Sequence, residues 1–98
     1  MLEHIVLFKP KATTTTEQED ELIQRLVALK QKIPDIVDLT AGRTVTDRSQ
    51  GYNVGLVVRF QGREGLERYG PHPAHQEVVA YVREVTDDVI AVDYEFDR

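Results

Sequence analysis

From Tyr52 to Phe60 the chain alternates without a break. Tyr52, Val54, Leu56, Val58 and Phe60 fall on one side of an extended backbone, and Asn53, Gly55, Val57 and Arg59 on the other. A period of two held this long specifies a strand. A strand with one continuous apolar side must lay that side against a second layer. The rest of the chain therefore has to supply a covering layer and more strands.

Residues 17–32 supply the cover. Leu22, Leu26, Leu29 and Ile33 recur at helical spacing, with Ile23 and Val27 beside them. Thr16 followed by Glu19 reads as a capping box. Acids crowd the first turn and Lys30 and Lys32 the last, as the helix dipole favours. Pro34 ends the element. Residues 2–9 read as a strand with Leu2, His4, Val6 and Phe8 on one face and Glu3, Ile5, Leu7 and Lys9 on the other. A further strand spans 36 to about 45, with an expected irregularity at Ala41-Gly42, and residues 46–51 form a polar turn. A short helix covers 63–69, with Leu66 and Tyr69 inward and Gly70 as its stop. Pro73 suits the first position of another helix, whose buried face is Val78, Val82 and Val85. A last strand runs near 88–96. The βαββαβ order predicts an α+β, ferredoxin-like antiparallel sheet with helices on one face. At 98 residues the expectation is a single domain, 1–98.

The uncovered face of that sheet is apolar where a monomer should be polar. Ile5, Leu7, Val57 and residues of the last strand fall on it. Leaving four such side chains wet forfeits about 1.5–3 kcal/mol each. Sheet-to-sheet pairing of two copies removes the cost, so a homodimer is expected.

Composition narrows the function. Acids outnumber bases 17 to 12 and the bases are scattered, which excludes the basic stripe a nucleic-acid binder needs. The chain has no cysteine, so thiol catalysis and thiolate metal sites are excluded. No apolar run approaches the ~20 residues that span a bilayer. The first residues lack the pattern of a signal peptide, which points to the cytoplasm.

The densest polar segment is Tyr69-Gly70-Pro71-His72-Pro73-Ala74-His75. His75 precedes Val78, Val82 and Val85 by three, seven and ten residues, so it projects from the apolar helix face toward the sheet. Desolvation and the helix N-terminus favour its neutral form, which a general base requires. The same place suits a core histidine bonded to a backbone carbonyl. Tyr69 can reach the same pocket across the Gly70-Pro71 break, to orient a substrate oxygen or an imidazole; it equally suits a helix end packing its ring. His4 shares the covered face of the first strand and can approach the same cavity; it equally suits a strand histidine near a sheet edge. His72 is expected to cap the helix or face solvent. Three histidines without a carboxylate at a diagnostic spacing do not make a zinc signature, so neither metal nor cofactor is expected. Asp93 and Glu95, with Tyr94, offer a second polar locus, although acids alternating on a strand more often protect a sheet edge.

His4-Ile5-Val6-Leu7-Phe8-Lys9, Ile33-Pro34-Asp35-Ile36, Gly51-Tyr52-Asn53-Val54 and, above all, Tyr69 with His72-Pro73-Ala74-His75 resemble the stress-responsive dimeric A/B barrel (Dabb) family over residues 2–96. The resemblance implies two ferredoxin-like protomers paired into a dimeric α/β barrel. In a plant polyketide cyclase of that family, a histidine matching His75 is the base, a tyrosine matching Tyr69 assists, and a histidine matching His4 lines the pocket. This sequence departs from it at Val54, where the cyclase has a histidine, and at Gly70-Pro71. The expectation is a pocket walled by Val6, Phe8, Val54, Leu56 and Leu66 that takes a small apolar carbonyl compound. His75, Tyr69 and His4 would act as a cofactor-free acid–base set; the alternative is a non-catalytic stress-response or ligand-binding protein.

Overall fold

A computed structural model describes residues 1–97. Its elements are β1 (Leu2–Pro10), α1 (Thr16–Lys32), β2 (Asp38–Arg43), β3 (Val54–Phe60), α2 (Arg63–Tyr69), α3 (Pro73–Val85) and β4 (Thr86–Glu95). The strands form one antiparallel sheet in the order β2-β3-β1-β4. This is the ferredoxin-like fold, with three helices on one face.

Register sets which side chains meet under the helices. His4 lies opposite Val58 on one side and Asp93 on the other; Val6 lies between Leu56 and Ala91, and Phe8 between Val54 and Val89. The core is closed where α1 covers β3: Leu22, Leu26, Leu29, Ile33, Val54 and Phe60 are all essentially inaccessible. α2 packs closely on the end of β3. A Cβ on Gly65 would stand 3.2 Å from the Phe60 side chain, so a larger residue there would force the two elements apart.

Several local expectations are corrected. The capping box of α1 is Thr15 with Gln18, not Thr16 with Glu19. The Gln18 N–H donates to Thr15 Oγ1 at 3.1 Å, and the Thr15 N–H donates to Gln18 Oε1 at 2.8 Å. In a run of four threonines either register can cap, and moving it back one residue frees Glu19 to pair with Arg43 at 2.8 Å. β2 is shorter than 36–45, although Val37 and Thr44 still donate to Arg59 and Asn53 across its ends. Gly42 pairs in register with Gly55, with no irregularity. β3 begins at Val54, leaving Tyr52 outside the strand with its hydroxyl donating to Asp88 Oδ2 at 2.6 Å.

α3 enters β4 without a loop. Thr86 is both the helix C-cap and the first residue of the strand, and the register slips between Lys9 and Pro10 to admit it. β4 is an edge strand that the helices leave largely uncovered. Val89 and Ala91 point to the helix side yet remain exposed. The opposite face of the sheet leaves Leu7, Val57, Ile90, Val92 and Tyr94 each at least about a third exposed.

Candidate active site

The uncovered strip beside β4 leaves a hollow between α3 and the sheet, about 330 Å³ in volume. Its walls are apolar, from β1 (Val6, Phe8), α1 (Leu26), β3 (Leu56), α3 (Val78, Val79, Val82) and β4 (Val89, Ala91). The small side chain of Ala91, directly across from Val6, leaves the space unfilled. Three polar rings reach this hollow: His4, Tyr69 and His75.

Tyr69 ends α2 and sits between the two imidazoles. Its ring lies 4.2 Å from that of His75 at a 40° tilt, and 5.7 Å from that of His4, edge on. Phe60 holds a third side at 5.2 Å. The phenol is 2% exposed, and burial pushes its pKa up to about 12, so it stays neutral and can donate. Among the described residues its hydroxyl has no hydrogen-bond partner in the protein, yet no enclosed side-chain polar atom is left unsatisfied. The hydroxyl therefore opens onto the hollow.

The turn between α2 and α3 orients His75. Gly70 ends α2 with right-handed helical angles immediately before Pro71, a combination that a Cβ-bearing residue tolerates poorly. Its carbonyl then accepts from His75 Nδ1 at 2.9 Å and from Gln76 Nε2 at 2.7 Å. A carbonyl can only accept, so His75 carries its proton on Nδ1 and keeps a lone pair on Nε2. Burial holds the His75 pKa below its ordinary value of 6.5, and nearby His4 and His72 push the same way, against the Gly70 bond. A neutral imidazole with a free acceptor is the form a base needs. His72 caps α3, its Nδ1 accepting from the Ala74 N–H at 3.1 Å, and does not line the hollow.

β1 is an interior strand, so His4 is not at an edge. Its Nδ1 is bonded to Asp93 Oδ1. That carboxylate accepts, which places a His4 proton on Nδ1. Asp93 thus holds an imidazole, and its reading as simple edge protection is corrected; Glu95 pairs with Arg63 at 3.1 Å. The signal for Asp93 was its register opposite His4, which only a known β1–β4 pairing reveals. Of the expected walls, Val6, Phe8 and Leu56 line the hollow. Val54 is fully buried under α1 and does not. Leu66 turns to a separate groove with Leu2, Arg63 and Tyr94, because Gly65 and Tyr69 take the inward face of α2. Among the described residues no three metal-ligating side chains come together, and no helix is long and apolar enough to cross a membrane.

This geometry can be set beside known proteins. An uncharacterised protein of Streptomyces coelicolor is 34% identical over 98 residues, spanning 98% of this chain and 100% of that one. Olivetolic acid cyclase of Cannabis sativa is 28% identical over 95 residues, spanning 95% of this chain and 94% of the cyclase. Among solved structures, a protein of Thermobifida fusca described as dimeric, ferredoxin-like and of unknown function superposes with a TM-score of 0.87 at 26% identity, covering 97% of this chain and 90% of that one. The family model for the stress-responsive A/B barrel domain matches residues 2–96. The chain belongs to the stress-responsive A/B barrel family.

Proposed function

We propose that the protein is an acid–base enzyme acting on a small, largely apolar carbonyl compound, of the cyclase or lyase type. The observation that carries this reading is the protein-unpartnered hydroxyl of the buried Tyr69 ring beside the Nδ1-protonated His75 on one apolar hollow. His75 Nε2 would take a proton from the carbon next to the carbonyl. The Tyr69 hydroxyl would donate to the carbonyl oxygen as negative charge grows there, in surroundings that strengthen such a bond. His4, held by Asp93, would stand on the far side of the phenol as support. The resulting enolate can attack a second carbonyl of the same molecule, and the proton on His75 then returns to the product. The similarity to a cyclase supports this class of chemistry.

The protein would work as a homodimer paired through the open face of the sheet. The exposed Leu7, Val57, Ile90, Val92 and Tyr94 and the dimeric description of the Thermobifida neighbour support that pairing. Sedimentation at micromolar concentration would give a mass of two chains, and a monomer would contradict it.

The direct test is α-proton exchange of decan-2-one in D2O, followed by proton NMR. The protein should accelerate exchange, and His75→Ala should remove about 10²–10⁴-fold of that acceleration without changing the fold. Tyr69→Phe should cost about 10²–10³-fold, the typical loss for one oxyanion donor. An unchanged rate in His75→Ala removes the base from this scheme. The Nδ1 bond of His75 to a backbone carbonyl also suits a purely structural histidine. Ketone binding without exchange would favour the second reading, a stress-response or ligand-binding protein.

A further inference from the structure

We propose that Arg83 forms an anion subsite at the mouth of the hollow, so that the ligand is a chain-like acid: a reacting carbonyl at one end and an anionic group at the other. The inference rests on the small-molecule reading of this cavity and adds the second half of its ligand.

Three observations point to Arg83. It is the one Lys, Arg, Asp or Glu among the residues lining the hollow; the nearest carboxylate described at the site, Asp93, stands behind His4 and is bonded to it. In a chain with 17 acids, a cavity wall free of them is an environment that admits an anion. Second, the guanidinium has no acidic partner among the described residues. Arg25 is paired with Glu21, Arg43 with Glu19 and Asp20, Arg59 with Glu3, Arg63 with Glu95 and Arg68 with Asp35; Arg48, in the turn before β3, also has no acidic partner among the described residues but lies away from the hollow. Third, Arg83 stands in the last turn of α3, where the helix dipole favours a cation, but its guanidinium is not needed to satisfy the Val82 and Val85 carbonyls at that end. The Val82 carbonyl already accepts from the Thr86 N–H and from Thr86 Oγ1 at 2.7 Å, and the Val85 carbonyl accepts from the Lys11 N–H at 3.0 Å and Thr14 Oγ1 at 2.7 Å.

The helix sets the ligand's length. His75, Val79 and Arg83 follow one another at four-residue intervals, so they form one row on α3. At 1.5 Å per residue the two ends of the row stand about 12 Å apart. Between them lie Val78, Val79 and Val82, which suit a mostly hydrocarbon chain. A ligand with its carbonyl at Tyr69 and His75 would thus run along α3 and present its far end to the guanidinium. Arginine's planar fork matches a carboxylate or a phosphate.

The test is an NMR or calorimetric titration with 9-oxodecanoate and with its methyl ester, which keeps the ketone and the chain but loses the charge. The acid should bind about five- to tenfold more tightly than the ester, the scale of one partly exposed ion pair. Arg83→Gln should erase that preference, so that acid and ester bind alike in the variant, Arg83→Lys should keep part of it, and 0.5 M salt should shrink it. 9-Oxodecyl phosphate, run alongside, separates the two sources of the anion: whichever of phosphate and carboxylate loses more affinity in Arg83→Gln is the group the subsite takes. Equal binding of acid and ester, or an Arg83→Gln protein that still prefers the acid, overturns the subsite and leaves the hollow as a neutral-ligand site. Failure of every probe, ester included, overturns the subsite together with the small-molecule reading beneath it.

Discussion

The helix layer has two halves that differ in what they bury. Under α1 the side chains of helix and strand are almost wholly enclosed: Leu22, Leu29, Val54 and Phe60 are inaccessible, and only Leu26 borders the hollow. Under α3, beside β4, the sheet offers Ala91 and Val89 to a row of valines, and a hollow of about 330 Å³ is left with two imidazoles and a phenol on it. Both halves lie on one sheet. The difference is one of residue size and of which strand lies at the uncovered edge. It teaches that close packing and an open apolar cavity are allotted to separate ends of the layer, so that the open end can hold polar rings without weakening the closed one.

The contrast can be tested from both sides. The largest effect belongs to the closed half: Leu29→Ala empties a fully enclosed position and should cost about 2–5 kcal/mol of unfolding free energy. Denaturant titration reads this, and a loss below about 1 kcal/mol would mean that the α1 half is not close-packed as described. A bulky residue in the open half should do the reverse. Ala91→Phe should occupy the hollow and weaken decan-2-one binding by about tenfold or more, equal to ~1.4 kcal/mol, while unfolding changes little. Comparable stability losses in the two variants would erase the distinction between the halves.

The smallest effect is on proton binding. Because burial lowers the His75 pKa, the unfolded chain takes up its proton first as pH falls. This histidine therefore contributes stability that is present above its unfolded value of 6.5 and is lost progressively as pH drops from there to the depressed folded value. The acid limb of any exchange-rate profile should likewise fall below pH 6.5, where the free imidazole would titrate. NMR of the ring protons should show His75 titrating below a histidine in an unfolded peptide. A normal or raised midpoint would mean that the ring is solvated and not part of the hollow.

The fold was legible because its two periods are clean. The alternation through Val54, Leu56, Val58 and Phe60 and the Leu22–Leu26–Leu29 row leave little choice of element. Errors arose where local signals were degenerate, as in the threonine run at the start of α1, or where alternation ran past the paired residues, as at Tyr52. The nearness of Tyr69 and His75 follows from a short break between two helices, which is local and readable. Asp93 was not readable as a partner of His4 because their meeting depends on register between strands at opposite ends of the chain. Val54 and Leu66 share faces with the hollow in sequence terms, but α1 closes over the first and the turn of α2 diverts the second. Arg83 carries no sequence signal, since its lack of an acidic partner is a property of the assembled surface.

A titration of the protein with decan-2-one, followed through the ring nitrogens of its three histidines by 15N NMR, separates a built site from a loose corner of the core. The account predicts saturable shifts at His75 and His4, which border the hollow, and a still His72, which caps a helix away from it. Shifts at His72 as large as those at His75, or none at any of the three, would contradict it.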